Sequence, residues 1–291
     1  MTAVQTTTRI RLEIQKIKYI PPLPIVAQQI IEALNTDQMD IEDIAALIQK
    51  DPALTARILG IANSAFFGFS RKIYSLVEAI VTVLGLDLVK GLVLSMIMGG
   101  VFEVRKCNNF DISRYWSSAL FTADFASSLA ERCKTDANMD KNQLFLSGLL
   151  HNLGILLLVD RFPTLMSQIF STANSNPETR LIETENIMLD MNHHEAGVWL
   201  AHKWQLPNEF TNVIGYHDTP DYRGDHWKYA MLIGYCSRAT RNWILDLHTP
   251  LPDKPDIQTA LSIPRNVIEK TASECHARLD DVRKLAQEMA A

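Results

Sequence analysis

Apolar residues recur along most of the chain with the three- and four-residue spacing of amphipathic helices. After Asp40, for example, apolar side chains stand at positions 41, 44, 47 and 48, and the carboxylate is placed to cap the helix that they predict. No segment alternates convincingly with a period of two. The nearest strand candidate is the five-residue run Ile155–Val159, whose pattern fits a buried helical turn equally well. The pattern therefore predicts an all-α fold.

Capping residues place several of these helices. Asp51-Pro52 combines an N-cap carboxylate with a proline at the first helical position, where its missing N–H costs nothing. Ser75 and Glu78 form a capping box, and the helix that they open is expected to stop at Gly85, with Asp87 capping the next one. The segment 192–195 has the same box pattern, and a further helix is predicted after Leu206-Pro207.

Two changes in composition suggest three parts, which we place at residues 1–109, 110–247 and 248–291. Polarity rises at Cys107–Asn109, and three prolines fall within His248–Pro255. After Pro264 a heptad-like apolar stripe follows, at Ile268, Cys275, Leu279, Val282, Ala286 and Met289. A stripe this short more often packs on its own domain than pairs with a second copy, so a homodimer through it stays open as the less favoured alternative.

The overall balance is that of a globular protein with a mildly acidic charge. The chain has 291 residues, 47% of them hydrophobic, and a net charge of −5. An acidic chain argues against direct binding of nucleic acid, which requires a concentrated basic face. The one local basic excess, at positions 9, 11, 16 and 18, is typical of a solvated helix face.

Cysteine usage and hydropathy indicate a cytoplasmic protein. The four cysteines, at positions 107, 133, 236 and 275, form no CxxC pair, which fits a reducing compartment. The longest uncharged apolar run, Gly91–Phe102, is shorter than the roughly 20 residues of a membrane span and predicts a buried helix. We therefore expect no membrane partner.

Histidines are the candidate carriers of chemistry. They stand in His151-Asn152, His193-His194 and His217-Asp218, on separate predicted helices. Taken alone, a histidine in an apolar run such as 149–154 is more often a hydrogen-bonded core residue than a ligand. Several imidazoles on facing helices can nevertheless converge on one metal ion.

Several motifs occur together and in order over positions 17–218. They are Tyr19-Ile-Pro-Pro-Leu-Pro24, Asp51-Pro-Ala-Leu-Thr55, Ala62-Asn-Ser-Ala-Phe-Phe-Gly68, Leu84-Gly-Leu86, His193-His-Glu-Ala-Gly197, Trp204-Gln-Leu-Pro207 and His217-Asp218. In these motifs the chain resembles the HDOD domain family. The resemblance implies a helical protein of bacterial signalling whose second half is related to the HD phosphohydrolases, which are metal enzymes that cleave phosphate esters.

The resemblance also implies which metal ligands are kept and which are lost. His151, His193 and His217 match ligand positions, whereas Asn152 replaces the carboxylate of the His-Asp pair. The first histidine and the distal aspartate of the HD pattern align with Ser118 and Ser237. As auxiliary groups we consider His194, Glu195 and Asp218. Three imidazoles without a clear carboxylate would hold at most one divalent transition metal, and we expect no cofactor.

The function expected from this pattern is a non-catalytic regulatory module that binds a signalling protein or a small phosphorylated ligand. The alternative is a reduced metal-dependent phosphohydrolase acting on a phosphomonoester or nucleotide. Positive charge for a phosphorylated ligand would come from Lys203, Arg223, Arg238 and Arg241, unless these are ordinary surface charges. A partner protein would use exposed members of the Phe66, Phe67 and Phe69 segment, unless those rings plug the core behind a helix end.

Overall fold

The fold is all-α, as the periodicity predicts. The computed structural model describes residues 22–36, 39–132, 139–175, 180–244 and 255–290, and no strand occurs in these ranges. The basic N-terminal stretch, Cys133, the start of the Tyr19 motif and most of the proline-rich segment 248–255 lie outside the described residues.

Three short helices begin the described chain: α1 Ile25–Thr36, α2 Ile41–Gln49 and α3 Pro52–Ala62. Asp40 and Asp51 cap α2 and α3 as predicted. The Asp40 carboxylate accepts a hydrogen bond from the Asp43 N–H at 2.9 Å, and Asp51 accepts from Ala53 and Leu54. These helices start where they do because a side chain satisfies their first free N–H groups.

The helix after Ser75 departs from the prediction in its winding. After the short α4, Leu76–Glu78, it continues as a π-helix over Ala79–Leu84 and ends at Gly85, which has φ 80°. Helix α5, Leu86–Gly100, follows at a bend of 115°. The predicted cap by Asp87 is wrong: Gly85 is the residue that precedes α5, and Asp87 lies in its first turn.

The longest helix, α6 Ile112–Arg132, runs through the centre of the fold. Helices α7 Lys141–Leu150 and α8 Leu153–Arg161 come next, so the apolar run Ile155–Val159 is helical. The remaining helices are α9 Pro163–Ser175, α10 Leu181–Leu189, α11 His193–Lys203, α12 Asn208–Tyr216, α13 Trp227–Ile244, α14 Pro255–Ala260, α15 Arg265–Ala277 and α16 Leu279–Ala290. The N-cap of α11 is the predicted box between Asn192 and Glu195.

One large apolar core connects the N-terminal helices with the middle of the chain. Buried residues from α1 to α5 share a cluster with residues of α6 to α12 and α16, and a second cluster joins α6 with α13, α14 and α15. Packing is therefore continuous across position 109, where the sequence suggested a boundary. The division into three parts stays a prediction.

The C-terminal apolar stripe faces the protein's own core. Ile268 and Cys275 are buried on α15 and Val282, Ala286 and Met289 on α16, in helices separated at Arg278. Arg278 donates to both carboxylate oxygens of the buried Asp124 on α6, at 2.7 and 2.9 Å. The stripe therefore packs mainly on the protein's own core, and a homodimer stays a prediction.

One helical stretch, Lys141–Arg161, is long and apolar enough to cross a membrane by composition alone. Within the fold, 83% of its apolar window is buried, as in the core helix of a soluble protein. The run Gly91–Phe102 falls largely in α5, which is buried over most of its length, as predicted.

Candidate functional site

Four buried histidines from three helices form one cluster. His151 stands at the end of α7, His193 and His194 open α11, and His217 ends α12. The ring centroid of His217 lies 4.9 Å from that of His151 and 4.3 Å from that of His194, which is 4.4 Å from His193. We call these four residues the histidine cluster.

Two glycines let the helices that carry the histidines meet backbone to backbone. A Cβ on Gly154, at the start of α8, would overlap the carbonyl oxygen of His193, and one on Gly234 of α13 would overlap that of His217. Only glycine permits such close approach. The positions of the histidine backbones are therefore set by the packing of α8 and α13.

His151 is closed off by hydrogen bonds from the protein itself. Its ring nitrogen Nδ1 lies 2.7 Å from the carbonyl oxygen of Gly148, and Nε2 lies 3.1 Å from the Ser237 hydroxyl. A carbonyl can only accept, so Nδ1 carries the proton and the lone pair of Nε2 accepts the serine hydrogen. The lone pair that a metal would need is already used. His151 and Ser237 are called the closed pair below.

The other three histidines keep lone pairs for a ligand. One ligand atom from each of His193, His194 and His217 lies within 4.8 Å of the others. The Nδ1 of His217 donates to the carbonyl oxygen of Val213 at 3.0 Å, which leaves its Nε2 as an acceptor. We call these three residues the open triad. The sequence analysis included His194 only as an auxiliary group.

Burial disfavours the protonated form of three of the four histidines. Burial lowers the pKa of His151 to about 4, although the hydrogen bond to the Gly148 carbonyl acts in the opposite direction. Burial also lowers the pKa of His217 well below its usual value. The pKa of His194 is also lowered, first by burial and then by the charges of His217, His193, His151 and Arg180. Neutral imidazole is the form that binds metals.

Glu185 orients the first histidine of the triad, and the sequence reading missed it. One oxygen, Oε2, accepts from the Nδ1 of His193 at 2.5 Å and from the His193 backbone N–H at 3.0 Å. Glu185 lies on α10 and is completely buried. Carboxylates hold metal-binding histidines in this way. Its sequence context, Leu181-Ile-Glu-Thr-Glu185, is that of an ordinary solvated helix face.

The two acidic residues considered as replacement ligands have other partners. The exposed Glu195 accepts from the Asn192 N–H at 3.2 Å and completes the helix cap. Asp218 is paired with Arg180 and, at 3.0 Å, with Arg238. Asn152, at the break between α7 and α8, provides no cap bond.

The two serines at lost-ligand positions lie on facing helices. Ser237 is on α13, with its hydroxyl against His151, and its assignment as a lost-ligand position stays a prediction. Ser118 is half-buried on α6, one turn before Thr122, whose hydroxyl lies 3.0 Å from that of Thr240 on α13.

The cluster fits one transition-metal ion and does not fit a two-metal centre. Three imidazoles and the orienting Glu185 suit a borderline ion such as zinc. Two cations need a bridging carboxylate, and among the described residues the group of mutually close ligand atoms contains imidazoles alone. Metal binding to the open triad stays a prediction.

The four cations expected to serve a phosphorylated ligand separate into two groups. Lys203 lies over the Trp199 ring, and Arg223 lies over Trp227 at 5.0 Å. Arg238 and Arg180 meet at Asp218, next to His217, and the charges of Arg114 and Arg180 act on Arg241. The sequence reading missed Arg180 and Arg114. We call these four arginines the arginine rim.

The arginines of this rim are close enough to affect one another. Burial and then the charge of Arg180 lower the pKa of Arg238; desolvation of its guanidinium head and then the charges of Arg114 and Arg180 lower that of Arg241. Arg180 also perturbs His194, so the rim borders the open triad. Residues this far apart in sequence meet only through tertiary packing.

The aromatic segment of the N-terminal motif is only partly covered. Phe66 and Phe67 are half-buried in an edge-to-face pair at 4.9 Å, and Phe69 is 36% exposed. Arg278 lies over the Phe66 ring at 5.2 Å. Both rings pack against the core, so this segment holds structure and leaves Phe69 at the surface. Its role as a partner surface stays a prediction.

Comparison with known proteins identifies the scaffold. The family model for the HDOD domain matches residues 20–220. A protein of Treponema pallidum (strain Nichols), described as uncharacterized, is 29% identical over 256 residues, which cover 87% of this chain and 48% of that protein. The chain thus spans about half the length of this curated relative.

Solved structures share the fold. A protein provisionally named for signal transduction, from Marinobacter aquaeolei VT8, has a TM-score of 0.84 at 24% identity, covering 99% of this chain and 66% of that one. An HDOD domain protein with unknown function from Geobacter sulfurreducens scores 0.76 at 21% identity over 98% and 99% of the two chains. A protein provisionally named a phosphohydrolase, from Shewanella amazonensis SB2B, scores 0.76 at 20% over 97% and 98%.

Proposed function

The chain belongs to the HDOD domain family, and from that premise we propose that it is a non-catalytic regulatory module of bacterial signal transduction in the cytoplasm. In this proposal the histidine cluster and its surroundings bind a ligand or a partner protein and pass on its presence through the helices that carry the histidines. The family's relation to the HD phosphohydrolases supplies the scaffold, and the site has lost the groups for hydrolysis.

The closed pair is the observation that carries the proposal. An HD phosphohydrolase needs the lone pair of the histidine in its His-Asp pair, and here the Ser237 hydroxyl takes it at 3.1 Å. The neighbouring carboxylate is replaced by Asn152, and Asp218 is neutralised by two arginines. Two metal ions need a bridging carboxylate, and among the described residues the group of mutually close ligand atoms contains imidazoles alone.

A direct test is a hydrolysis screen of the purified full chain. Phosphomonoester and phosphodiester substrates are offered with Mn²⁺, Ni²⁺, Fe²⁺ or Mg²⁺, beside a His217→Ala variant as the background. The proposal expects wild type and variant to give the same rate. Stoichiometric bound metal together with turnover that disappears in His217→Ala would contradict it.

One observation favours a second candidate, a single-metal phosphohydrolase. The open triad would hold the ion through His193, His194 and His217, with Glu185 fixing the ring of His193. A metal ion bound there would supply Lewis-acid polarisation of a phosphoryl oxygen. In this candidate His151 takes no part as a ligand, so Ser237→Ala would leave metal content unchanged while His194→Ala would abolish it.

A further inference from the structure

Arg180 and Arg238 converge on one carboxylate at the edge of the histidine cluster. Arg180 approaches Asp218 from the start of α10, and Arg238 approaches it from α13 with its Nη1 3.0 Å from Oδ1. Asp218 directly follows His217. The guanidinium groups of Arg180 and Arg238 therefore lie beside the open triad, with the Asp218 carboxylate between them.

The cations of this rim outnumber the anions they meet. In the described part of the chain, the ion pairs of the arginine rim all go to Asp218, while Arg114 and Arg241 form none. The buried Nε of Arg238 also finds no hydrogen-bond partner there. Arg180 and Arg238 share the single carboxylate of Asp218, and the charges of Arg114 and Arg180 act on Arg241. An additional anion would reduce the repulsion between the guanidinium groups. It would also accept a hydrogen bond from the Nε of Arg238.

The geometry favours phosphate over other anions. Guanidinium groups present planar pairs of N–H donors that match phosphate oxygens, and such pairs are stronger than neutral hydrogen bonds. A phosphate monoester offers three terminal oxygens where Asp218 offers two. The imidazoles of the open triad add hydrogen-bonding nitrogens without a competing negative charge.

We propose that the arginine rim is a binding site for a phosphate monoester, in which the phosphate takes the place of the Asp218 carboxylate between Arg180 and Arg238. This inference rests on the proposed non-catalytic function and names its ligand class. Release of Asp218 frees the end of α12, and α12 carries His217. Ligand binding at the surface is in this way linked to the buried histidine cluster.

Calorimetric titration of the full chain, freed of metal by EDTA, tests the site with inorganic phosphate, AMP and adenosine at constant ionic strength. Phosphate and AMP are expected to bind, and adenosine is not. Arg238→Gln and Arg180→Gln should each weaken phosphate binding tenfold or more, because each removes one of the two charge-assisted contacts. Asp218→Asn should strengthen it severalfold, because the competing carboxylate is gone.

Two matched controls separate the site from general charge. Arg223→Gln and Lys203→Gln remove one positive charge each from cations that lie over Trp227 and Trp199, and both should bind phosphate as wild type does. Equal weakening in the controls, weaker binding in Asp218→Asn, or equal binding of adenosine and AMP would overturn the proposal. Arg180 is 47% exposed, so its variant is expected to fold even if Arg238→Gln does not.

Failure of the inference and failure of the proposed function are distinguishable. If phosphate does not bind and the hydrolysis screen is blank, the phosphate site is wrong while the non-catalytic module stands. If AMP binds and is hydrolysed by wild type but not by His217→Ala, the proposed function is wrong.

Discussion

The closed pair and the open triad belong to one cluster but differ in how many of their histidine ring nitrogens have hydrogen-bond partners within the protein. His151 donates through Nδ1 and accepts through Nε2, so both nitrogens are used within the protein. His217, with its ring 4.9 Å away, has a backbone partner for Nδ1 alone. The difference shows that neighbouring histidines of one cluster can have different numbers of hydrogen-bond partners within the protein. In the proposed function, the Ser237 hydroxyl makes His151 a hydrogen-bonded core residue.

The largest effect we expect comes from disturbing the backbone contact behind the triad. Gly154→Ala places a Cβ where the His193 carbonyl oxygen lies, so helices α8 and α11 must separate. We expect the free energy of unfolding to fall by about 3 kcal/mol or more. Urea denaturation followed by circular dichroism measures it.

Gly100→Ala is the matched control. A Cβ on Gly100 meets nothing within 4 Å, and alanine favours helix, so its stability should stay within about 1 kcal/mol of wild type. Similar losses in the two variants would show that the triad is not held by this close approach.

The second-largest effect is expected on acidification, through His151 of the closed pair. Burial holds the pKa of His151 at about 4, below its value of about 6.5 in the unfolded chain. As the pH falls from 6.5 to 4, His151 becomes protonated in the unfolded chain but stays neutral in the folded protein. The contribution of His151 to the free energy of unfolding is therefore largest above pH 6.5. It falls by about 3 kcal/mol between pH 6.5 and pH 4 and does not change further below pH 4.

The measurement is the free energy of unfolding at pH 7 and pH 4.5 in wild type, His151→Gln and His202→Gln. His151→Gln should lose less stability on acidification than wild type does, although His194 and His217 still contribute with the same sign. The exposed His202 serves as the control and should leave the wild-type difference unchanged. An unchanged difference in His151→Gln would mean that His151 is not held neutral.

A smaller effect is expected from Ser237→Ala. The variant removes the donor to Nε2 of His151 and leaves a buried acceptor without a partner, at a cost of about 1–2 kcal/mol in stability. Ser147→Ala is the control, because the Ser147 hydroxyl is buried with no hydrogen-bond partner in the described ranges. Thermal unfolding of both variants measures the contrast. If Ser147→Ala loses as much as Ser237→Ala, the bond in the closed pair contributes nothing.

Local signals made most of the fold predictable. Helix starts at Asp40, Asp51 and Asn192 depend on neighbours within three residues, so the sequence alone identifies them. The π-helix after Glu78 was beyond such reasoning, because periodicity does not distinguish an i+5 from an i+4 hydrogen bond over six residues.

The site was predictable only in part, for a related reason. The histidines lie in recognisable sequence motifs, and Ser237 contacts His151, while its assignment as a lost-ligand position stays a prediction. Glu185 and Arg180 have no such motif. They join the site through contacts with His193 and Asp218, eight and 38 positions further along the chain, which only the packed helices determine.

The most direct measurement is a long-range proton–nitrogen NMR spectrum of the histidine rings at pH 6, with His151 assigned through His151→Gln. The account predicts that His151 is neutral with its proton on Nδ1, that Ser237→Ala shifts its Nε2 signal, and that one equivalent of Zn²⁺ leaves this signal in place. A His151 that carries both protons, or whose Nε2 becomes a zinc ligand in the wild-type protein, would contradict the account.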